Sequence, residues 1–417
     1  MVNEKVKRQL IEFNPLWKGA APSGYKERRI YRRLKPLLKE PQIIALCGLR
    51  RVGKTMLLRK MMEDLLREHP ADALLYFSFD DFPSAELLDV IEGFREIHGK
   101  EPRFLFFDEV QKVPNWAGQV KVLYDTGKFK IVVSGSESLF LRKSSRESLA
   151  GRMYEFEVRG LAFPEYLAFA GKAALAEKPQ LHGTELQREL VRHLLTGGFP
   201  ELIGKDSALV RQYIRTAVIE KIVFLDMARL YPIDEPAVLL SVLEMLIERP
   251  GMLVDFASLS RDLGISRQTL SKYFDYLQQA RLVVKLSNFS KNRSTSEKRL
   301  KRFYPAFLSP ALLAEADAAH MGMVVENACV LASGAEHFWR DRAKDEVDIV
   351  LRTPGALLPV EVKYRNDQER NRGLEKFCKK YACAEAVVVT KDVRRVAGKG
   401  PRIRRVPARE FLIEFPE

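Results

Sequence analysis

The first half of the chain alternates short apolar runs with segments of helical periodicity. The runs PQIIALC, LLYFSF, RFLFFDE and KFKIVVSG are typical of strands that are buried on both faces of a parallel sheet. After the first run, TMLLRKMMEDLLREH carries apolar residues at positions 57, 58, 61, 62, 65 and 66, which is the spacing of one helix face. This alternation predicts an α/β fold in which helices connect parallel strands.

A different pattern, in residues 255–286, predicts two short helices joined by a tight turn. The stretch DFASLSRDLGISRQTLSKYFDYLQQARLVVKL carries apolar residues at helical spacing on both sides of Gly264. Gly264 allows the turn, and Ser266 is a natural N-cap for the second helix. The runs LVVKLS and KRFYPAFL then predict two strands joined by a basic loop. This order of elements is the layout of a winged helix.

Two apolar runs near the C-terminus carry charges in alternation with apolar residues. In DEVDIVLRTPGALLPVEVKYR, Asp348 lies inside the first run, and Glu361 and Lys363 lie inside the second. Residues two apart on a strand share a face, so Glu361 and Lys363 point the same way. If the strands pair across the TPG turn, Asp348 can lie beside them. We therefore expect two carboxylates and an ammonium group in one cleft.

Length and composition predict a multidomain globular protein. At 417 residues the chain is too long for one small core, and 46% of its residues are hydrophobic. Its four cysteines lack zinc-ligand spacing, which indicates buried thiols in a reducing compartment. The N-terminus has charges where a signal peptide needs an apolar run, and no stretch approaches the roughly 20 apolar residues of a membrane span. We expect a cytoplasmic protein with no membrane partner.

The net charge of +14 is concentrated in two segments. Residues 1–60 hold sixteen Lys and Arg against four Asp and Glu, and residues 281–302 hold eight against one. Such clusters indicate either a polyanionic partner or a solvated basic surface. Arg267, Gln268 and Lys272 lie off the apolar stripe of the predicted recognition helix, where they favour DNA as a partner. The basic positions of the predicted wing are Lys291, Arg293, Lys298, Arg299, Lys301 and Arg302.

The segment CGLRRVGKT contains the phosphate-binding pattern G-x-x-x-x-G-K-T between a predicted strand and a predicted helix. Gly48 and Gly53 let the backbone curl so that its N–H groups face phosphates, and the helix N-terminus adds positive potential. Lys54 would reach the β- and γ-phosphates, and the Thr55 hydroxyl would ligate Mg²⁺. The predicted nucleotide-contacting residues of this loop are Gly48, Arg51, Val52, Gly53, Lys54, Thr55 and Met56.

Two later strands supply polar groups that a phosphate-binding loop requires. RFLFFDEVQ ends in Asp108, which would hold the metal through water, and Glu109, which would polarise the attacking water. KFKIVVSGSES brings Ser134 and Ser136 to the same sheet edge, where ligands bind in this architecture. Ser136 is a candidate sensor of the γ-phosphate, or alternatively a serine in an ordinary turn.

The order of these motifs resembles the AAA-type ATPases, and more narrowly a prokaryotic, archaeal-type family related to the signalling ATPases with numerous domains. The segments GLRRVGKT, FFDEVQ, VVSGSES, LAGRMYEFEVRGLAFPEYLAF and GGFPELI carry the resemblance. It implies a helical lid in which Pro200 lies near the nucleotide. It also implies that Arg152 is an arginine finger or sensor, in its own subunit or a neighbour's, or alternatively a structural arginine.

The C-terminal pattern resembles the restriction-endonuclease-like superfamily, whose motif is D…(D/E)-x-K. Asp348, Glu361 and Lys363 match it residue by residue, and Glu326 fits the extra acid on the preceding helix. In such a site the carboxylates ligate Mg²⁺, which activates a water, while the lysine places that water or stabilises charge. The alternative is an exposed strand on which Glu361 and Lys363 form an ordinary surface pair, or a domain that keeps the acids and only binds.

These patterns predict four segments of α/β architecture. We expect a P-loop AAA-type core over residues 1–160, a helical lid over 161–232, a winged helix over 233–308 and a restriction-endonuclease-like α/β domain over 309–417. One interpretation is an ATP- and Mg-dependent ATPase that binds DNA, with a candidate nuclease at its C-terminus. The other is a nucleotide-gated switch whose C-terminal domain binds a partner without cutting DNA. The sequence specifies no oligomeric state.

Overall fold

The computed structural model describes residues 4–19, 24–80, 82, 85–135, 148–228, 231–291, 300–313, 317–365, 372–397 and 401–415. The chain divides between Arg159 and Gly160 into two units, each with its own sheet.

Within the described part of the first unit, five strands form a parallel sheet in the order β2-β3-β4-β1-β5. The strands are β1 (Ile43–Cys47), β2 (Leu74–Ser78), β3 (Phe104–Asp108), β4 (Lys130–Gly135) and β5 (Met153–Glu157). The longer helices are α1 (Glu4–Phe13), α3 (Lys54–Leu65), α4 (Leu87–His98) and α5 (Trp116–Asp125), and α2 is a single turn (Tyr31–Leu34). The four predicted apolar runs thus form the strands β1 to β4, as expected.

The core of this unit lies on both faces of the sheet. Alternate strand residues such as Ala45, Phe77 and Phe107 pack with the apolar stripes of α1, α4 and α5 on one face. All three side chains are fully buried. Burial of a large apolar side chain, such as Phe77 or Phe107, stabilises the fold by about 1.5–3 kcal/mol. Because every residue of β1 and β3 is buried, their polar chemistry is confined to the strand ends.

The second unit begins with helices and ends in a mixed sheet. Its helices are α6 (Phe163–Phe169), α7 (Gly183–Thr196), α8 (Ser207–Tyr213), α9 (Pro236–Glu248), α10 (Phe256–Asp262), α11 (Arg267–Gln279), α12 (Ala318–Ala332), α13 (Arg372–Tyr381) and α14 (Ala408–Glu414). A π-helical stretch, Ile214–Met227, continues α8.

In the described residues of this unit, nine strands form one sheet in the order β13-β14-β12-β11-β10-β9-β7-β8-β6. They are β6 (Met252–Leu253), β7 (Val283–Asn288), β8 (Lys301–Pro305), β9 (His337–Arg340), β10 (Glu346–Thr353), β11 (Ala356–Val362), β12 (Glu385–Thr390), β13 (Arg395–Ala397) and β14 (Arg402–Pro407). The β7–β8 hairpin joins the C-terminal strands because β7 pairs with β9, with Ser287 opposite His337. The sheet therefore runs across residue 308, where the sequence predicts a domain boundary.

Candidate functional site

The loop between β1 and α3 has a backbone that only glycine permits at two positions. A Cβ at Gly48 would lie 2.2 Å from the carbonyl oxygen of Val158, and Gly53 has a φ of +100°. The buried Arg28 holds the loop from outside, because its Nη1 donates to the Val52 carbonyl at 2.8 Å and its Nη2 to that of Arg159 at 2.7 Å. The Arg28 guanidinium thus supports the curled shape of the loop.

Lys54 begins α3 and turns back into this loop. Its side chain is 5% exposed, and its Nζ donates to the carbonyl oxygens of Gly48 at 2.8 Å and Leu49 at 3.0 Å. Glu109, in a left-handed conformation just after β3, places Oε1 3.8 Å from the same Nζ. A cation therefore lies inside the loop, with a carboxylate facing it.

Asp108 is the centre of a buried hydroxyl cluster at the end of β3. Its Oδ2 accepts from Thr55 Oγ1 at 2.6 Å and from the Tyr76 hydroxyl at 3.0 Å, and its Oδ1 accepts from Ser134 Oγ. Burial, followed by the nearby charge of Asp108, raises the pKa of Tyr76 well above its usual range. Tyr76 therefore stays a hydrogen-bond donor and orients the Asp108 carboxylate.

These residues fit Mg²⁺ and a nucleoside triphosphate. The hydroxyl of Thr55 and the carboxylate of Asp108 are the hard oxygen donors that Mg²⁺ prefers, and they already lie in contact. The Lys54 ammonium has only carbonyl oxygens and one longer carboxylate contact to exchange for phosphate. These residues would hold the phosphates and the metal, which would neutralise the charge of the transferred phosphoryl group.

The other predicted nucleotide contacts differ in their placement. Arg51 is exposed with a φ of +66°, Val52 is buried, and Met56 is half-buried on the first turn of α3. Pro200 begins a 3₁₀ turn, Pro200–Leu202, in the second unit. Ser136 lies outside the described residues.

Arg152 lies at the opposite end of the sheet from the phosphate-binding loop. It comes just before β5, and its carbonyl accepts from the N–H of Ile43 at the start of β1. Its Nε donates to Asp125 Oδ1 at 2.9 Å. Four residue steps along β1 lead from Ile43 to Cys47, a rise of about 13 Å at roughly 3.3 Å per residue. This placement does not bring Arg152 near the phosphate-binding loop of its own chain, so a neighbour's site and a structural role in the contact with Asp125 stay as the two alternatives.

The two helices α10 and α11 and the β7–β8 hairpin occur in the order that the sequence predicts. Ser266 caps α11 by accepting from the N–H of Thr269 at 3.0 Å. The stripe of Leu270, Tyr273, Phe274 and Leu277 is buried, whereas Arg267, Gln268 and Lys272 are exposed. Of the predicted wing, Arg293, Lys298 and Arg299 lie outside the described residues.

The predicted C-terminal residues do converge. Asp348 on β10 and Glu361 on β11 are 7% and 6% exposed, and Asp348 Oδ2 accepts from the N–H of Val362 at 2.9 Å. Lys363 Nζ lies 2.9 Å from Glu361 Oε1. The alternative of an ordinary exposed strand is therefore wrong for these two acids, because both are buried in one cleft.

Arg302 enters the same cluster from β8, which contradicts its expected place on a DNA-facing wing. It is 7% exposed, and its Nη1 lies 3.2 Å from Asp348 Oδ1 and 3.6 Å from Glu326 Oε1. Glu326 Oε1 also accepts from the Tyr304 hydroxyl at 2.8 Å. Burial, and then the charge of Asp348, raises the pKa of both Glu326 and Glu361.

The acid set does not fit a divalent metal. Both oxygens of Asp348 are occupied, one by Arg302 and one by the N–H of Val362. Oε2 of Glu361 is buried, and no described residue donates to it. Among the residues that the structure describes, no three acid, histidine or cysteine side chains are arranged to hold a metal ion.

Three residues important to these sites carry no sequence signal of their own. Arg28 is one of sixteen basic residues in the first sixty, and nothing in the pattern separates it from the others. Tyr76 lies in an apolar run, where an aromatic residue indicates only a strand. Arg302 adjoins the predicted basic loop, and this position predicts an exposed side chain. Each acquires its role through contacts with residues distant in the chain.

Family models match three segments of the chain. An AAA domain matches residues 40–167, and two domains of unknown function, DUF8612 and DUF4143, match residues 187–319 and 321–411. Residues 40–167 thus form an AAA-type, ATPase-like domain. This match confirms the predicted nature of the core.

Relatives of the chain are uncharacterized proteins. MJ1544 of Methanocaldococcus jannaschii is 30% identical over 65% of this chain and 62% of its own length. MJ1637 of the same organism is 26% identical over 69% of this chain and 65% of its own length. Rv2008c of Mycobacterium tuberculosis is 24% identical over 92% of this chain and 82% of its own length. The chain thus spans less than two thirds of the two Methanocaldococcus relatives.

Solved AAA-type structures show only a distant likeness. The Aeropyrum pernix ORC1 protein in complex with DNA is 13% identical over 70% of this chain and 92% of its own, with a TM-score of 0.33. AMPPCP-bound DnaA from Aquifex aeolicus is 16% identical over 64% of this chain and 92% of its own, with a TM-score of 0.29. Scores this low carry no functional information.

None of the helices in the described part of the chain is both long and apolar enough to cross a lipid bilayer.

Proposed function

We propose that the chain binds Mg-ATP at the β1–α3 loop, hydrolyses it slowly, and couples the nucleotide state to DNA binding. The observation that carries the first part is the 2.6 Å hydrogen bond from Thr55 to the buried Asp108, formed directly beside the Lys54 ammonium. Phosphoryl transfer needs a phosphate-holding cation and a metal-holding pair of oxygens at adjacent positions, and this arrangement supplies both.

Glu109 is the residue that would orient the attacking water. Its carboxylate is 15% exposed, so water can reach it, and Oε2 accepts from Gln111 Nε2 at 2.5 Å. This contact and the left-handed backbone fix the carboxylate toward the loop. A water held by Glu109 would therefore face the terminal phosphate of a nucleotide that Lys54 binds.

DNA binding rests on the exposed face of α11. Arg267 and Lys272 lie on a helix whose opposite stripe is fully buried, and Gln268 lies between them in sequence. A helix held in this way by a core can enter the major groove and present its polar side chains to phosphates and base edges. The positive net charge of the chain would assist this association.

A nuclease role for the C-terminal strands receives less support than a binding role. Metal-dependent cleavage needs carboxylate oxygens free to ligate the ion, and Asp348 has both of its oxygens in protein hydrogen bonds. The second proposal is therefore a C-terminal domain that supports partner binding without cutting DNA.

Phosphate release by the full chain tests the proposal. Wild type should release phosphate from ATP only when Mg²⁺ is present, and duplex DNA should change the rate. Lys54→Ala should abolish the activity, whereas Lys60→Ala, at a lysine of the same helix that pairs with Glu63 and Asp64, should retain it. A wild type that is inactive with Mg²⁺ and DNA, or an active Lys54→Ala, would contradict the proposal.

A further inference from the structure

We infer that the C-terminal acidic cluster is built around a protein cation, the guanidinium of Arg302, which takes the place that a divalent metal would occupy. The cluster is defined here as Glu326, Asp348, Glu361, Lys363 and Arg302. In this arrangement the acids join the β7–β8 hairpin to the C-terminal strands and bind no metal ion.

Two protein cations, Arg302 and Lys363, offset two of the three carboxylates in the cluster. The Arg302 guanidinium lies within 3.2 Å of Asp348 and 3.6 Å of Glu326, and its Nη2 lies 3.0 Å from Glu346 Oε2. A guanidinium is planar, stays charged at any pH that proteins tolerate, and presents donors in several directions. It therefore serves several carboxylates at once, as a metal ion would.

The position of Arg302 is enforced by the sheet. In β8, Arg302 pairs with Leu286 of β7, and β7 in turn pairs with β9. The side chain of Asn288 fixes this junction, since its Nδ2 donates to the Arg340 carbonyl at 2.9 Å and its Oδ1 accepts from the Arg340 N–H at 3.0 Å. The guanidinium lies 5.1 Å from the ring of Phe338 on β9, so the side chain crosses over that strand toward Asp348.

A metal ion would have to displace this guanidinium. One oxygen of Asp348 contacts Arg302 and the other accepts from the backbone, and Oε1 of Glu361 faces Lys363. Of these two acids, only Oε2 of Glu361 has no donor among the residues that the structure describes. Three of the four carboxylate oxygens of Asp348 and Glu361 thus already face protein donors.

The inference predicts that removal of the internal cation creates the metal site. In Arg302→Gln, Glu326 and Asp348 would lose their shared counter-charge, and the repulsion among the three acids would favour a divalent ion. Lys363 cannot replace Arg302, because it contacts Glu361 at the outer side of the cluster, where its side chain is 35% exposed.

Mn²⁺ binding to the full chain without nucleotide tests this inference. The electron paramagnetic resonance signal of free Mn²⁺ would be followed for wild type, Glu361→Gln, Arg302→Gln and the double variant. Any ion at the β1–α3 loop is common to all four proteins and cancels in the comparison. Arg342→Gln, at an exposed arginine of the same unit, is the matched control.

Wild type and Glu361→Gln should bind the same amount of Mn²⁺, and Arg302→Gln should bind about one more ion per chain, which the double variant should lose. A wild type that binds an ion absent from Glu361→Gln would overturn the inference, as would a folded Arg302→Gln without the extra ion. If Arg302→Gln does not fold, the wild type and Glu361→Gln comparison decides alone. None of these results depends on ATP hydrolysis.

Discussion

Replacement of Glu109 by Gln should stop ATP hydrolysis while ATP binding stays intact or becomes tighter. Glu109 Oε1 lies 3.8 Å from Lys54 Nζ, and the two side chains are 15% and 5% exposed. At an effective dielectric constant of about 20, this pair has a gross attraction of about 4 kcal/mol, although its net value is smaller because both groups leave water. Loss of the charge frees Lys54 for phosphate and removes repulsion of the nucleotide. Binding should therefore not weaken.

The rate of ATP hydrolysis by Glu109→Gln should fall, although its affinity for ATP should not. A positioned general base contributes about 10²–10⁴-fold to a rate, which corresponds to roughly 3–5 kcal/mol of activation free energy. Single-turnover phosphate release and fluorescent-nucleotide titration would separate the two effects. Glu68→Gln, at an exposed glutamate beyond the far end of α3, is the matched control and should behave as wild type. Full turnover by Glu109→Gln, or binding weakened more than tenfold, would refute the assigned role.

Three further outcomes follow from individual contacts. Asp108→Asn should remove Mg²⁺-dependent turnover, measured as phosphate release across a Mg²⁺ titration, because it replaces a buried metal-facing carboxylate by an amide. Burial lowers the pKa of His193 to about 4, so the folded state should lose up to about 3 kcal/mol as pH falls from about 6.5 to 4. Thermal midpoints of His193→Gln should lack that part of the pH dependence, and equal slopes in both proteins would contradict it. Arg267→Ala with Lys272→Ala should lower the salt slope of DNA affinity by about 1 for each lost phosphate contact, and an unchanged slope would place the contact surface elsewhere.

The sequence predicts the local structure around the β1–α3 loop well because its parts are local. The loop pattern, its flanking strand and its helix are contiguous, and Asp108 follows a run so apolar that it can only be a buried strand. Parallel strands place their carboxyl ends at one edge, so the contact between Thr55 and Asp108 follows from topology.

The residues that sequence reasoning misplaced depend on pairing between distant strands. Arg302 belongs to a basic stretch, and only the β7–β9 pairing brings it over Asp348. Arg152 matches a motif position, but parallel pairing of β5 with β1 sets it at the edge away from the loop. In each case the residue type was informative about charge, while the sheet register decided which partner that charge would meet.

Nucleotide affinity of the full chain is the most direct test of the ATPase assignment. Calorimetric titration with ATP, with and without Mg²⁺, would compare wild type with Lys54→Ala. Because the Lys54 ammonium lies inside the loop and Thr55 contacts Asp108, wild type should bind one ATP more tightly with Mg²⁺, and Lys54→Ala should lose that binding. Equal affinity in the two proteins, or no ATP binding by a folded wild type, would contradict the account.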